Sequence, residues 1–338
     1  MQFNKLFQKI YNGGSLEYKE ATSAFSDIMS GRINNTELAA FLVTLSLKGI
    51  SSKELLSAVK VIKSKSIKIK SSGIIVDTCG TGGDKKNTLN ISTATAILAA
   101  ASGVKVAKHG NKSVSSKSGS SDVLEKLGIN INSPIKNVEK SLRVIGLCFL
   151  MAPLYHKAMK NVAEVRSLLK VPTIFNILGP LLNPANASIQ LIGVYSKDWL
   201  MPIASCLKEL KTKRAWVVNG QDGLDEITTT SNTNVIEVYK GKIKSFKINP
   251  VQLGIKKIKL EEIKGKTASY NANQITKLFN NKKSNKAYED IVVLNTAAVL
   301  VIAGKCKNLK DGIALARKNL VNGNALEKLL NLRKLSNS

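Results

Sequence analysis

The spacing of apolar residues divides the chain into two parts with different periods. In residues 1–66 apolar positions recur every three or four residues, and because such residues share one helix face, this spacing predicts amphipathic helices. The apolar stripes consist of Leu38, Phe41, Leu42 and Leu45, and of Leu55, Val59 and Ile62. The capping-box patterns expected at helix starts are Asn34-x-x-Glu37 and Ser51-x-x-Glu54. We predict a small helical domain over residues 1–66, completed by helices within residues 155–182.

From residue 73 onwards, short β-branched runs alternate with helix-like segments, which is typical of α/β proteins. The predicted strands are Ile74–Val76, Val104–Val106, Cys148–Met151, Ile189–Tyr195, Ala215–Val218 and a hairpin around Lys240-Gly241. The predicted helices are Ser92–Ala101 and residues 155–169, 198–210, 272–282 and 286–303. We therefore predict an α/β fold, in which a larger domain over residues 73–335 has a central, mainly parallel sheet flanked by helices.

The bulk composition is that of an ordinary globular protein. The chain has 338 residues, of which 43% are hydrophobic, enough to bury a sizeable core. Its four cysteines form no C-x-x-C pair, so neither a disulfide framework nor a zinc site is indicated. No long apolar run follows Met1, so we expect a cytoplasmic protein that does not contact a membrane.

The net charge of +28 raises the alternative of a nucleic-acid partner, because lysine contacts to phosphate give sequence-independent affinity. The lysines are spread along the chain, however, and aromatic residues that could stack on bases amount to only 5%. We interpret most of the charge as a solvated surface, from which a phosphate-rich ligand would benefit.

A glycine-rich turn follows the first predicted strand. It has the sequence D-T-C-G-T-G-G-D at residues 77–84, with N-I-S-T at residues 90–93 opening a helix. Glycines let the backbone N–H groups approach a phosphate, and the helix start adds its positive end, so the turn predicts an anion site. Lys85 occupies the third glycine position of the dinucleotide fingerprint, and no Walker G-K-[ST] is present. A purely structural turn would explain the glycines but not the polar cluster of Asp84, Thr88, Asn90, Ser92 and Thr93.

Two further polar segments follow predicted strands. Residues 108–122 contain three lysines and six serines but one hydrophobic side chain, between a strand predicted to end at Ala107 and a helix beginning near Asp122. Such loops at strand ends bind ligands in α/β proteins, and this one suits a polyphosphate; a disordered linker is the alternative. The acidic D-G-L-D-E at residues 222–226 suits a hard cation such as Mg²⁺, although a solvated turn is an equally good interpretation of that motif alone.

Taken together, these motifs closely resemble those of the anthranilate phosphoribosyltransferases, within the nucleoside-phosphorylase-like glycosyltransferases. The resemblance runs over nearly the whole chain and includes F-L-M-A-P at residues 149–153 and I-F-N-I-L-G-P-L-L-N-P at residues 174–184. It implies the nucleoside phosphorylase/phosphoribosyltransferase fold. It also implies transfer of the phosphoribosyl group of 5-phosphoribosyl 1-pyrophosphate to anthranilate, the second step of tryptophan biosynthesis, by a homodimer formed through the helical domain.

The resemblance implies the following site residues. The donor would be held by Gly80, Gly83, Asp84, Thr88, Asn90, Ile91, Ser92, Thr93, Lys108, His109, Gly110, Asn111, Lys112, Ser113, Val114, Ser115, Ser116 and Ser120. Anthranilate would contact Gly80, Asn111, Arg166, His109 and His156. Two Mg²⁺ ions per subunit would be held by Ser92, Asp225 and Glu226. No side chain is implied as a general acid or base, and a guanidinium such as that of Arg166 is a natural partner for the carboxylate of anthranilate.

The sequence departs from the family pattern at a few positions. Lys157, Lys170, Pro172 and Asn219 stand where relatives usually have other residues, which bears on acceptor affinity and hinge geometry rather than on the reaction. Two other functions remain as alternatives. A pyrimidine-nucleoside phosphorylase would share the architecture but has no need of the acidic pair at Asp225 and Glu226, and a non-enzymatic nucleic-acid-binding paralogue would account for the charge of +28.

Overall fold

The computed structural model describes residues 2–112, 118–280 and 284–338. Four helices come first along the chain: α1 Gln2–Tyr11, α2 Tyr18–Met29, α3 Asn35–Lys48 and α4 Ser52–Ser64. Asn34 and Ser51 cap α3 and α4, and their side chains accept hydrogen bonds from the backbone N–H groups of Glu37 and Glu54. The two capping patterns read from the sequence therefore begin helices where they were predicted to.

The rest of the chain alternates strands and helices. In chain order the elements are β1 Val76–Asp77, α5 Ile91–Ala101, β2 Val106–Gly110, α6 Ser120–Lys126, α7 Ile135–Ile145, β3 Leu147–Met151, α8 Ala152–Tyr155, α9 Lys160–Leu169, α10 Phe175–Leu178, β4 Ile189–Gly193, α11 Leu200–Glu209, β5 Arg214–Gly220, β6 Thr233–Tyr239, β7 Lys242–Ile248, α12 Ala268–Phe279, α13 Lys286–Ile302, α14 Leu309–Val321 and α15 Asn324–Ser336. Short 3₁₀ helices include Lys157–Met159, Gly179–Leu182 and Leu260–Ile263.

The strands form one seven-stranded sheet in the order β3-β2-β1-β4-β5-β6-β7. The pairings from β3 through β5 are parallel, whereas β6 and β7 are antiparallel additions joined by a tight turn at Lys240 and Gly241, with φ of 50° and 72°. The predicted fold class, a small helical part followed by an α/β part with a mainly parallel sheet, is confirmed.

Helices cover both faces of this sheet. One face packs against α11 and the helices of the first 66 residues, through Ile192, Val217 and Ile236. The other face packs against α5 and the helices from α12 to α15, through Leu191 and Val218. The helices α9 and α10 share the hydrophobic core of the first four helices.

Several predicted boundaries are shifted by a few residues, and two of the differences bear on the site. The helix predicted over residues 155–169 is interrupted: α8 ends at Tyr155, a 3₁₀ turn follows, and α9 begins at Lys160. The strand predicted to end at Ala107 continues to Gly110, because each residue from 106 to 110 pairs in parallel register with β3. Lys108, His109 and Gly110 are therefore held by sheet hydrogen bonds and do not lie in a loop.

The order of the strands locates a crevice. The chain runs outward from β1 to β2 and β3 on one side, then returns to place β4 and β5 on the other side. The carboxyl ends of β1 and β4 thus flank a topological switch point, where α/β proteins commonly bind ligands.

Candidate active site

A cavity of about 370 Å³ lies at the carboxyl ends of β1, β2, β4 and β5. It is lined by most of the predicted site residues, namely Gly80, Gly83, Asp84, Thr88, Asn90, Ile91, Ser92, Lys108, His109, Gly110, Asn111, Lys112, Ser120, Arg166, Asp225 and Glu226. Thr93 is buried in α5 and is not part of this lining, and neither is His156. The predicted donor contacts Ser113, Val114, Ser115 and Ser116 lie outside the described residues.

The glycine turn after β1 forms one wall of the cavity with an unusual backbone. Gly82 and Gly83 have φ of 64° and 84°, and Lys85 and Asn87 also lie in the left-handed region at 57° and 50°. Left-handed backbone is costly for residues with a Cβ and is concentrated at functional sites. The turn is anchored to β4, because Thr81 donates its backbone N–H to the Gly193 carbonyl at 2.9 Å.

The acidic pair forms the facing wall and is tied to the glycine turn. Asp225 accepts a hydrogen bond from the Gly82 N–H at 2.8 Å, and Glu226 accepts one from the Ser92 N–H at 3.1 Å. Residues that lie more than 130 positions apart in sequence thus meet within hydrogen-bonding distance. The contacts bring together Ser92, Asp225 and Glu226, the three predicted metal ligands.

The electrostatics of this pair favour a bound cation. Burial and the neighbouring carboxylate of Asp84 raise the pKa of Asp225 to about 7. Burial and the charge of Asp225 raise the pKa of Glu226 well above its usual value. Two half-buried carboxylates so close together are costly to ionise unless protons or a cation balance them. Because oxygen ligands without nitrogen or sulfur suit a hard ion, Mg²⁺ fits this donor set.

The pKa of Asp225 predicts the pH dependence of metal binding. A cation competes with the proton for this carboxylate, so affinity for Mg²⁺ should rise as pH increases through about 7, the pKa of Asp225 in the folded protein. We expect the dissociation constant, measured by calorimetry at pH 6 and pH 8, to fall by about ten-fold over this interval. A dissociation constant independent of pH between 6 and 8 would contradict the assignment of the raised pKa to a metal ligand.

A buried lysine adds positive charge to the cavity. Lys108 is 4% exposed, and its ammonium group donates to the Ser92 hydroxyl at 3.3 Å. The positive charge of Lys108 also lowers the pKa of Glu226 against the larger effect of burial. A buried ammonium at the positive end of α5, which begins at Ile91, gives this wall an affinity for phosphate groups.

Two histidines lie against one another at the end of β2. The Nδ1 atom of His109 is 3.1 Å from the Gly179 carbonyl, so this nitrogen carries the proton and Nε2 is left as an acceptor. Burial and the neighbouring His156 lower the pKa of His109 to about 3, and burial lowers that of His156 to about 4. Their ring centroids are 5.3 Å apart, with His156 behind His109 and away from the cavity. Both rings are therefore neutral at pH 7.

A guanidinium group without a carboxylate partner enters the cavity from α9. Arg166 is half-buried and lies over the ring of Phe175, 5.6 Å from its centroid. Burial lowers the pKa of Arg166, and within the described parts of the chain the guanidinium forms no ion pair. A partly buried cation with a planar pair of donors, left without an acid, is a natural receptor for the carboxylate of a ligand.

Comparisons with known proteins match the chain over its length. Residues 4–66 match the model of a glycosyl transferase family, helical bundle domain, and residues 72–326 match the a/b domain of that family. The anthranilate phosphoribosyltransferase of Petrotoga mobilis is 45% identical over 99% of this chain and 97% of its own. That of Thermoanaerobacter sp. is 47% identical over 95% of each chain. The chain belongs to the anthranilate phosphoribosyltransferases.

Solved structures of this family have the same fold. The anthranilate phosphoribosyltransferase from Thermus thermophilus superposes with a TM-score of 0.92 at 36% identity, covering 98% of this chain and 99% of that one. The enzyme from Saccharomyces cerevisiae in complex with PRPP and Mg gives a TM-score of 0.91 at 27% identity, covering 99% and 98%. This anthranilate phosphoribosyltransferase fold therefore extends over both the helical and the α/β parts of the chain.

Sequence reasoning gave no role to Asp77, although it lies in the glycine-rich motif. Its carboxylate is fully buried and accepts hydrogen bonds from the His109 N–H at 3.1 Å and from the Asn183 amide at 2.7 Å. Burial raises the pKa of Asp77 to about 6. The side chains of Asp77, Cys79 and His109 lie within 4.8 Å of one another, but both oxygens of Asp77 already accept protein hydrogen bonds. The cluster thus joins β1 and β2 beneath the cavity of this anthranilate phosphoribosyltransferase and does not resemble a cation site.

Gly193 is a second residue that sequence reasoning missed, because a single glycine at the end of a strand gives no distinctive pattern. A Cβ added there would lie 1.5 Å from the backbone oxygen of Asp225. We expect Gly193→Ala to displace the acidic pair, to lower the free energy of unfolding by about 2 kcal/mol and to weaken Mg²⁺ binding. Chemical denaturation and calorimetry measure both effects. Gly179→Ala, where the added methyl meets no atom within 4 Å, is the control for stability; equal stability of the two variants would contradict the prediction.

The four departures from the family pattern lie at defined places in the structure. Lys170 ends α9 in the left-handed region with φ of 51°, a position that favours glycine. Asn219 is buried and donates to the Val194 carbonyl at 2.7 Å, so it joins the ends of β5 and β4. Lys157 lies in the 3₁₀ turn before α9, and Pro172 lines the cavity. None of the four replaces a member of the acidic pair or Arg166.

Proposed function

We propose that this chain transfers the phosphoribosyl group of 5-phosphoribosyl 1-pyrophosphate to the amine of anthranilate, giving N-(5-phosphoribosyl)anthranilate and pyrophosphate in the tryptophan pathway. The observation that carries the proposal is the combination, in one cavity, of a phosphate-type glycine turn, a half-buried acidic pair and a guanidinium without an ion-pair partner among the described residues. The related enzyme from Saccharomyces cerevisiae has been solved in complex with PRPP and Mg, and in complex with 4-fluoroanthranilate.

The donor would bind along the glycine turn and the start of α5. The residues of the turn line the cavity, and the positive end of α5 and the buried ammonium of Lys108 favour the phosphate groups. We assign two Mg²⁺ ions per subunit to Ser92, Asp225 and Glu226. When bound, Mg²⁺ supplies positive charge against the departing pyrophosphate.

The acceptor would bind where α9 and α10 line the cavity. The guanidinium of Arg166 would hold the carboxylate of anthranilate, with Gly80, Asn111 and His109 around the ring. His109 would line the acceptor site as a neutral ring, held in orientation by the hydrogen bond from its Nδ1 to the Gly179 carbonyl. His156 would act indirectly, by packing behind His109.

The proposed reaction depends more on the alignment of the two substrates than on proton transfer by a side chain. The amine nitrogen forms a bond to C1 of the ribose while the bond from C1 to the pyrophosphate oxygen breaks, with inversion and an oxocarbenium-like transition state. An aniline-type nitrogen is already neutral at pH 7, so no strong base is required, and the product nitrogen loses its extra proton to solvent. Alignment of the two substrates and stabilisation of the leaving group account for the acceleration.

A fluorescence assay tests the proposal. Consumption of anthranilate in the presence of 5-phosphoribosyl 1-pyrophosphate and Mg²⁺ should be rapid, and a chelator should abolish it. Free phosphate with a pyrimidine nucleoside should give no turnover, and DNA should bind weakly. Nucleoside cleavage, or a salt-sensitive DNA shift without anthranilate consumption, would replace this proposal with the phosphorylase or the nucleic-acid-binding function.

The assembly and the division into domains are part of the proposal. We place a domain boundary between residues 1–66, completed by α9 and α10, and residues 73–335. Three helices that lie side by side in the helical part, α1, α3 and α9, carry the exposed apolar side chains of Tyr11, Leu47 and Leu168. These residues support a homodimer formed through this surface, because exposed apolar patches mark association sites. A mass measurement in solution checks it.

The expected location is the cytoplasm. Among the described residues, no helix combines the length and the apolar character needed to cross a bilayer.

A further inference from the structure

Two buried asparagines on the C-terminal helices contact the two walls of the cavity. Neither belongs to a motif that the sequence singled out. Asn271 lies in α12 and Asn295 lies in α13, and they are 1% and 0% exposed. A buried carboxamide must satisfy both its oxygen and its amide group, so the partners of each one show what it holds in place.

Asn271 supports the part of the cavity wall that leads into α5 and is proposed to bind phosphate. Its amide group donates to the side-chain oxygen of Asn90 at 2.8 Å, and its own oxygen accepts from the Lys266 N–H at 2.9 Å. Asn90 immediately precedes α5 and lines the cavity, and its backbone carbonyl accepts a hydrogen bond from the Tyr288 hydroxyl at 3.1 Å. The orientation of Asn90 is thus determined by α12 and α13 as well as by its own loop.

The backbone next to Asn271 continues this support. The Leu89 N–H donates to the Ile263 carbonyl at 2.9 Å, and the Gly265 N–H donates to the Asn87 carbonyl at 2.8 Å. A Cβ at Gly265 would lie 2.5 Å from the Thr88 carbonyl oxygen, so the two segments are in close contact. The costly left-handed backbone in the preceding part of the loop is therefore held from outside, through residues far away in sequence.

Asn295 supports the segment that carries Asp225 and Glu226. Its oxygen accepts from the Ile227 N–H at 3.0 Å, and its amide group donates to the Ile227 carbonyl at 2.8 Å. Both backbone groups of the residue that follows Glu226 are thereby bound to one side chain. This double contact limits how far the backbone that carries Asp225 and Glu226 can move.

From these contacts we infer that Asn271 and Asn295 are positioning residues with separate effects: Asn271 sets the phosphate-binding geometry of Asn90, and Asn295 sets the geometry of the acidic pair. The inference rests on the proposed function. It predicts that the two substitutions impair different binding steps.

Asn271→Ala should raise the KM for 5-phosphoribosyl 1-pyrophosphate by about ten-fold, because Asn90 loses a buried hydrogen bond. The KM for anthranilate and the Mg²⁺ concentration that gives half-maximal activity should each change by less than about two-fold. Asn295→Ala should have the opposite effect. It should raise the Mg²⁺ concentration for half-maximal activity by about ten-fold and leave the KM for 5-phosphoribosyl 1-pyrophosphate nearly unchanged. Calorimetric titration of the free protein with Mg²⁺ and with inorganic pyrophosphate gives the same separation without turnover.

Asn319→Ala is the matched control. Asn319 is also a buried asparagine on a C-terminal helix, and it donates to the Leu315 carbonyl at 2.9 Å and accepts from the Asn324 amide at 2.7 Å. These partners lie in α14 and α15, away from the cavity. This variant should lose thermal stability as the other two do while its binding constants stay at the wild-type values.

A second series covers the case in which an alanine variant does not fold. Asn→Leu at the same three positions keeps the approximate side-chain volume, adds no charge and removes the hydrogen bonds of the carboxamide. The inference is overturned if the variants at 271 and 295 lose only stability, as the control does, or if both raise the donor KM and the Mg²⁺ requirement equally. Absence of turnover in the wild-type protein would instead refute the proposed function, while the calorimetric separation would still test the positioning role.

Discussion

The double variant Asp225→Asn/Glu226→Gln should lose Mg²⁺-dependent turnover by on the order of a thousand-fold or more while the fold persists. Neutral amides cannot replace two carboxylates as ligands of a hard cation, so the charge on the departing pyrophosphate would be left without compensation. The assay is anthranilate consumption at saturating donor over a range of Mg²⁺ concentrations.

The stability of this variant should be equal to or higher than that of the wild-type chain. Burial raises the pKa of both carboxyl groups, so each favours folding below its unfolded pKa and loses that contribution as pH rises through the folded pKa. At pH 8 the wild-type protein therefore carries the cost of ionising Asp225, whose pKa is about 7, and the amide substitution removes this cost. A thermal melt at pH 8 measures the difference.

A second adjacent acidic pair provides the control. Glu261 and Glu262 are exposed and lie outside the lining of the cavity. Glu261→Gln/Glu262→Gln removes the same charge and should retain wild-type turnover and Mg²⁺ dependence. Near wild-type activity in the Asp225/Glu226 variant would reject the metal assignment.

Arg166→Ala should raise the KM for anthranilate by roughly 30- to 100-fold, with a change of less than about three-fold for the donor, because a charge-assisted carboxylate contact is lost. The guanidinium has no ion-pair partner among the described residues, so its removal leaves no buried acid unpaired. Initial rates with each substrate varied in turn separate the two constants.

Two further variants sharpen this prediction. Arg166→Lys keeps the charge but loses the planar pair of donors, so its effect on the anthranilate KM should be intermediate. Arg143→Ala, an exposed position on α7, should leave both constants unchanged. Equal effects of Arg166→Ala on donor and acceptor would argue against a role in acceptor binding.

The sequence predicted those parts of the site that depend on local patterns. Glycines after a strand, capping residues and adjacent carboxylates each have a meaning over a few residues, and Gly80, Asp84, Ser92 and Asp225 were found in this way. The family resemblance added Arg166, whose isolated position in a helix carries no pattern of its own. The structure places all five around one cavity.

Other features depend on contacts between distant residues and were therefore missed. The strand β2 extends through Lys108 and His109 because β3 pairs with them, although their polar side chains suggest a loop. Asn271 meets Asn90 across 181 positions of sequence, and Asp77 meets Asn183 across 106. A single sequence does not contain the information that such pairs are neighbours.

Part of the large positive charge of the chain lies on the outermost strand, β7, where it affects association between copies of the chain. One edge of this strand pairs with β6, and the other edge is the edge of the sheet. Lys242, Lys244 and Lys247 are exposed along the strand. An unpaired strand could template hydrogen bonding with a second chain, and closely spaced lysines oppose this by mutual repulsion. We therefore expect part of the lysine excess to oppose edge-to-edge pairing of β7 between copies of the chain rather than to serve catalysis.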